Sequence, residues 1–247
     1  MQRLISLGTF GLILAAGYNF LTDGSITGRQ TSSPRQPAPV AQAPIQSSSY
    51  PPAVVPPPAS RAPAAAPRPT TPTMRLAAFN VQVFGATKEK NLPVMQTLAA
   101  VMRNFDIIAI QEIRINDDYL LRRFIDTYLN PYSGQTYDYV LGPRLGRSVS
   151  KEQYAFIYNT ARIEVNPNHI YTIRDPNDLL HRPPLVAMFR TRGPQPHEAF
   201  TFVLVNVHTD PDDADEEVNY LALAYPAVRA ASHGEDDIIL LGDFNAD

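Results

Sequence analysis

Four short apolar runs each end on a side chain that can bind a cation or move a proton. LAAFN ends at Asn80, DIIAIQE at Glu112, FVLVNVH at His208, and DIILLGDFN carries Asp243 and Asn245. Two carboxylates with two amides suit a hard cation such as Mg²⁺, which takes one or two carboxylates and keeps several waters. An imidazole beside that cation suits general acid–base work, because its ordinary pKa lies near operating pH. A single carboxylate at a strand end could equally cap a helix or form a rim salt bridge, and a single histidine is more often structural. Recurrence at four strand ends favours a site. His169, His181, His197 and His233 lie in loops or strand margins without such company, and no role is assigned to them.

These residues need a frame that brings the strand ends together. Continuous runs of Ile, Leu, Val and Phe read as strands buried on both faces, so a polar residue closing such a run falls at the sheet rim. Strands are expected over 75–84, 106–113, 137–142, 153–158, 161–173, 185–192, 199–208 and 237–245, with a hairpin among the short central ones. Apolar spacing predicts helices over 90–104, 117–130 and 214–232. The mixture indicates a layered α/β or α+β domain.

The first 73 residues belong to no such domain. Residues 4–21 are uncharged and mostly apolar behind Arg3, about the minimum length for crossing a bilayer. Residues 1–23 are therefore expected to be a signal peptide or an N-terminal membrane anchor, which makes the protein exported and either membrane-anchored or secreted/periplasmic. Residues 24–73 mix proline with Ala, Ser, Thr and Gln, carry four arginines and no acid, and read as a disordered Pro-rich linker.

From Met74 onward, 16 Lys and Arg stand against 23 Asp and Glu, a formal balance of −7. That argues against bulk coating of nucleic acid, since a non-specific binder is normally basic. It leaves open an enzyme that meets phosphodiesters through cations drawn to clustered carboxylates. The chain has no cysteine, which excludes disulfides, thiolate nucleophiles and cysteine zinc sites.

Six motifs in order carry a resemblance: AAFNVQVFGATK, DIIAIQEIR, SKEQYAFIY, HRPPLVAMF, VNVHTDP and LLGDFNAD. Over residues 74–247 the chain resembles the endonuclease/exonuclease/phosphatase superfamily, and within it the deoxyribonuclease I-like branch. The resemblance implies a four-layer α-β-β-α sandwich, two mainly antiparallel sheets face to face between helices, with the site at one edge. It implies a divalent cofactor, Mg²⁺ with Mn²⁺ or Ca²⁺ as substitutes, and a nucleic acid substrate, DNA. Glu112 would bind the metal with Asp243, and Asn80 would position metal or phosphate. Glu152 would hydrogen-bond His208, making His208 the general acid or base. Asp243 and Asn245 would orient the nucleophilic water and the phosphoryl oxygens. Arg182 would clamp a phosphate and Arg114 would contact the DNA groove.

The branch's motif places an aromatic residue two positions before the glutamate of SKEQY, where this chain has Ser150, so weaker duplex preference is expected. Superfamily members continue past GDFNAD to a closing Ser-Asp-His motif. The segment in hand is thus expected to lack the C-terminal strands and to be inactive by itself. Two other functions share parts of the pattern: a lipid or inositol-phosphate phosphodiesterase on the same fold, and a non-catalytic binding module. The membrane, through residues 1–23, is an expected partner, and nothing in the sequence points to a protein partner.

Overall fold

The computed structural model describes residues 73–147, 151–193 and 199–246. The expected anchor, the linker apart from Thr73, Ser150, His197 and Asp247 lie outside the described residues. No helix among the described residues is long and apolar enough to cross a membrane.

Among the described residues, eight strands form two four-stranded sheets. The first holds β1 (Leu76–Phe84), β2 (Ile107–Ile113), β3 (Tyr137–Leu141) and β4 (Gln153–Asn159), in the order β1-β2-β4-β3. The second holds β5 (Ile163–Thr172), β6 (Leu185–Thr191), β7 (Thr201–His208) and β8 (Ile238–Asp243), in sequence order. Pairing is antiparallel except between β1 and β2 and between β7 and β8. The hairpin is β3–β4; β5 crosses to the second sheet instead of pairing with β4.

The two-residue period of the strands sorts their side chains into layers. Ile107 and Ala109 of β2, Tyr154, Phe156 and Tyr158 of β4, and Phe202 and Leu204 of β7 fill the space between the sheets. Their neighbours face outward. Ile108, Ile110 and Ile157 pack under α2 (Leu92–Met102) and α3 (Leu120–Phe124), which follow the short α1 (Ala86–Glu89). Val203, Val205 and Val207 pack under α4 (Ala214–Ala231). Helix, sheet, sheet and helix give the four-layer α-β-β-α sandwich.

Two expectations need correction. The runs of β2 and β7 are buried on both faces, but β1 and β8 are only half-buried, because each lies at the edge of its sheet among the described residues. The helix expected over 117–130 starts at Leu120, after Asp117 Oδ1 accepts the Tyr119 N–H in a local turn (2.9 Å). It then widens into a π turn over Ile125–Leu129 before Pro131.

Candidate active site

The carboxyl ends of β1, β2, β7 and β8 and the amino end of β4 meet at one rim. Period-two counting puts Asn80, Glu152, His208 and Asp243 on inner faces, in step with Leu76, Tyr154, Leu204 and Leu241 of the layer between the sheets. Glu112 is the exception. In step with Ile108 and Ile110 it would turn toward the helices.

A bulge redirects it. Ile110 pairs with Ala155 and Ile113 with Gln153, so Gln111 and Glu112 stand opposite Tyr154 alone, and Glu112 adopts φ 62°. The neighbouring β1 is also irregular between Asn80 and Phe84, with Gln82 at φ 45° and Val83 at φ 60°. Positive φ is a genuine outlier for a β-branched residue, and strained backbone of this kind clusters at functional sites. Lys88 Nζ donates to the carbonyls of Val81 and Gln82, holding the irregular segment in place. Gly85 is required where the chain leaves β1, since a Cβ there would lie 2.8 Å from the Arg114 carbonyl oxygen.

The side chains form one unbroken chain of contacts. Asn80 Nδ2 donates to Glu112 Oε1 (3.0 Å) and to Asp243 Oδ2 (2.8 Å), tying together the carboxylates of the two sheets. Glu112 Oε2 accepts the Val83 N–H (2.9 Å) and pairs with Arg114 (3.3 Å). Arg114 Nε continues to Glu152 Oε2 (3.2 Å), and Glu152 Oε1 meets His208 Nδ1 at 2.8 Å. Asn245, at φ 46°, donates its backbone N–H to Asp243 Oδ1 (3.2 Å) and its amide to the Thr209 carbonyl (2.8 Å). With Arg182, whose Nε meets Glu152 Oε1, the eight candidate site residues fall within one network.

Glu152 is 1% exposed. Burial opposes its charge, but the His208 hydrogen bond and the positive charge of His208, Arg182 and Arg114 outweigh it and hold the carboxyl below its ordinary value. Arg182 does not present itself as a phosphate clamp. Its Nε lies 2.7 Å from Glu152 Oε1 and 3.1 Å from the His208 carbonyl, and Nη2 donates to the Thr209 carbonyl at 2.9 Å. Arg114, expected at a DNA groove, spans two carboxylates and is about one-third exposed.

Other residues reach the site without a signal read from the sequence. Tyr154 Oη accepts the His208 N–H (3.0 Å) from between the sheets, and burial drives its phenol strongly upward, so it stays protonated. Its inner-face register two residues after Glu152 was the available clue. Glu217 of α4 is buried and accepts the backbone N–H groups of His181 and Asp210, bracing the loops that carry Arg182 and Thr209. His181 Nδ1 lies 2.9 Å from Asp210 Oδ2. His169, read as marginal, is buried within β5 against Tyr171 and His233.

The fold and rim define a class, and residues 77–247 match its sequence profile: the chain belongs to the Endonuclease/Exonuclease/phosphatase family. Among curated proteins it is similar to deoxyribonuclease-1 of Bos taurus, 34% identical over 178 residues, covering 71% of this chain and 61% of the relative. It is likewise similar to deoxyribonuclease gamma of Homo sapiens, 33% identical over 177 residues, covering 70% and 56%. The similarity is thus to the deoxyribonuclease I-like branch, and the chain spans about three-fifths of the length of these relatives. Among solved structures, a mannosyl-6-phosphatase from Bacteroides thetaiotaomicron aligns with TM-score 0.51 at 16% identity, covering 71% of this chain and 66% of that one. An endonuclease/exonuclease/phosphatase family protein from the same species aligns at 0.50 and 17%, covering 70% and 62%. Both share the fold.

Proposed function

We propose that the protein is a Mg²⁺-dependent phosphodiester hydrolase, a DNA endonuclease of the deoxyribonuclease I-like type. The observation that carries the reading is the continuous network from Asp243 through Asn80, Glu112 and Arg114 to Glu152 and His208. Its three carboxylates face two guanidinium groups, and Asp243 makes no ion pair among the described residues. The Glu112–Asp243 end therefore carries excess negative charge in an all-oxygen donor set, which fits a hard divalent cation. A bound Mg²⁺ would neutralise the phosphoryl oxygens and acidify a water.

The remaining work falls to side chains already in position. Glu152 fixes the Nδ1–H tautomer of His208, leaving Nε2 to exchange a proton with the attacking water or the leaving oxygen. The Arg114 and Arg182 guanidinium groups keep Glu152 ionised and oriented. Asn80, whose oxygen already accepts the Gln82 N–H at 2.8 Å, keeps a second lone pair for metal or phosphate while its nitrogen spaces the two carboxylates. Asn245 holds Asp243 against the Thr209 loop, beside a cleft of about 400 Å³ lined by Asn80, Gly242 and Asp243. We also propose that residues 1–23 direct export and that residues 24–73 tether the domain to the membrane.

The test uses protein produced from its native reading frame, assayed on plasmid DNA, RNA, phosphatidylinositol and a nitrophenyl phosphate monoester, with Mg²⁺ and with EDTA. Mg²⁺-dependent nicking of DNA, with little turnover of the monoester or the lipid, is expected. Turnover of the lipid or the monoester in preference to DNA would overturn the reading.

A further inference from the structure

The bulge that aims Glu112 leaves a gap in the β2–β4 ladder. Ile110 and Ala155, the last regular pair before the gap, are tied to the opposite sheet: Asn206 Nδ2 donates to Ile110 O at 3.1 Å and to Ala155 O at 3.0 Å. Both amide protons of Asn206 are thereby committed, which turns its oxygen toward Gln111. Gln111 Nε2 donates to that oxygen at 2.6 Å.

Asn206 and Gln111 are both fully buried, and Gln111 Oε1 has no hydrogen-bond partner. An apolar pair would fill this layer at lower cost, as Leu204 and Phe202 do one and two pleats below. The polar pair joins the sheets just beneath the rim, next to the Tyr154–His208 hydrogen bond. Gln111 directly precedes Glu112, and Asn206 stands two residues before His208.

We propose that Asn206 is a positioning residue for Glu112. It clamps the last regular pair beside the bulge, and through Gln111 it locks the rim of the first sheet to that of the second. Apolar packing between sheets is non-directional and tolerates small sliding. Two carbonyl-directed bonds and one amide–amide bond fix the register. Without them the Ile110–Ile113 segment regains regular alternation more easily, and Glu112 leaves Asn80, Val83 and Arg114.

The test needs no assumption about activity. Val83 N–H is held by Glu112 Oε2 and Arg114 N–H by the Phe84 carbonyl, so their exchange with solvent deuterium reports on Glu112 placement. Asn206→Leu is compared with Val203→Ala, a β7 core variant facing α4, at matched loss of thermal stability. Exchange at Val83 and Arg114 is expected to rise at least about tenfold more in Asn206→Leu. Equal increases in the two variants would reduce Asn206 to general stability and overturn the proposal. Should Asn206→Leu fail to fold, the unaltered protein decides: its Asn206 side-chain amide protons should exchange far more slowly than exposed amides, and fast exchange would refute the clamp. An activity arm rests on the proposed function, where the Mg²⁺ concentration for half-maximal rate should rise about tenfold with a smaller change at saturating metal. Absence of activity in the unaltered protein would strike that function and leave the exchange comparison to decide the present one.

Discussion

Replacing Glu152 by Gln keeps the shape of the side chain and removes its charge from a site that is 1% exposed. Three groups then lose their counter-charge: Arg182 at 2.7 Å, His208 at 2.8 Å and Arg114 at 3.2 Å. Arg182, with a side chain only 9% exposed, cannot reach water without leaving the His208 and Thr209 carbonyls. Breaking a buried pair by removing one partner costs about 3–5 kcal/mol. At about 2–4 °C per kcal/mol for a domain of this size, the melting temperature should fall by roughly 6–20 °C. The loss should depend on pH with a defined sign. Because the folded-state carboxyl is held below its ordinary value, its ionisation stabilises the fold above the unfolded value of about 4.3, and this contribution fades as pH falls through the folded value. The unaltered protein should therefore lose stability on that acid limb, and Glu152→Gln should flatten it. In activity, the variant should lose about 10²–10⁴ of the rate, and adding His208→Ala should cost little more, since the two act as one unit. Thermal and urea unfolding from pH 7 to pH 3, with single-turnover DNA cleavage, measure all of this. A stability loss under about 1 kcal/mol, or rate losses that multiply in the double variant, would refute the pairing.

Three further outcomes are expected. Gly242→Ala should destabilise by more than about 2 kcal/mol in denaturant unfolding, because φ is 149° and an added Cβ would meet the Val207 carbonyl oxygen at 1.9 Å; unchanged stability would contradict the close approach of β8 to β7. Asn80→Ala should raise the Mg²⁺ requirement, as it removes the bridge between Glu112 and Asp243, and calorimetric metal titration with an unchanged midpoint would argue against that bridge. Ser150→Tyr should raise the preference for duplex over single-stranded DNA by restoring an aromatic surface for the groove wall, which paired cleavage assays would contradict if the ratio stayed constant.

What the sequence made legible was tied to local pattern. Apolar runs ending on Asn80, Glu112, His208 and Asp243 declared both the strands and their shared rim, because a polar residue closing a buried run has few other places to go. The helices α2 and α4 followed from apolar spacing, and the family from motif order. Features that depend on which strands become neighbours could not be read. The edge positions of β1 and β8 among the described residues, the turn of Arg182 toward Glu152, and the bridging of two carboxylates by Arg114 are set by sheet order. Glu112 is the instructive case. Alternation alone sends it to the helix layer, and only the bulge, visible once Ile110 and Ile113 are matched to Ala155 and Gln153, returns it to the site. Asn206 and Gln111 look like ordinary strand residues until the opposite sheet is in place.

The most direct test of the central reading is cleavage of supercoiled plasmid by protein from the native reading frame, at saturating Mg²⁺, with Glu112→Gln and His208→Ala alongside. The unaltered protein is expected to nick DNA, EDTA to abolish the reaction, and either substitution to lower the rate by about 10²–10⁴. Glu112→Gln cleaving DNA at the unaltered rate with unchanged Mg²⁺ dependence would contradict that reading.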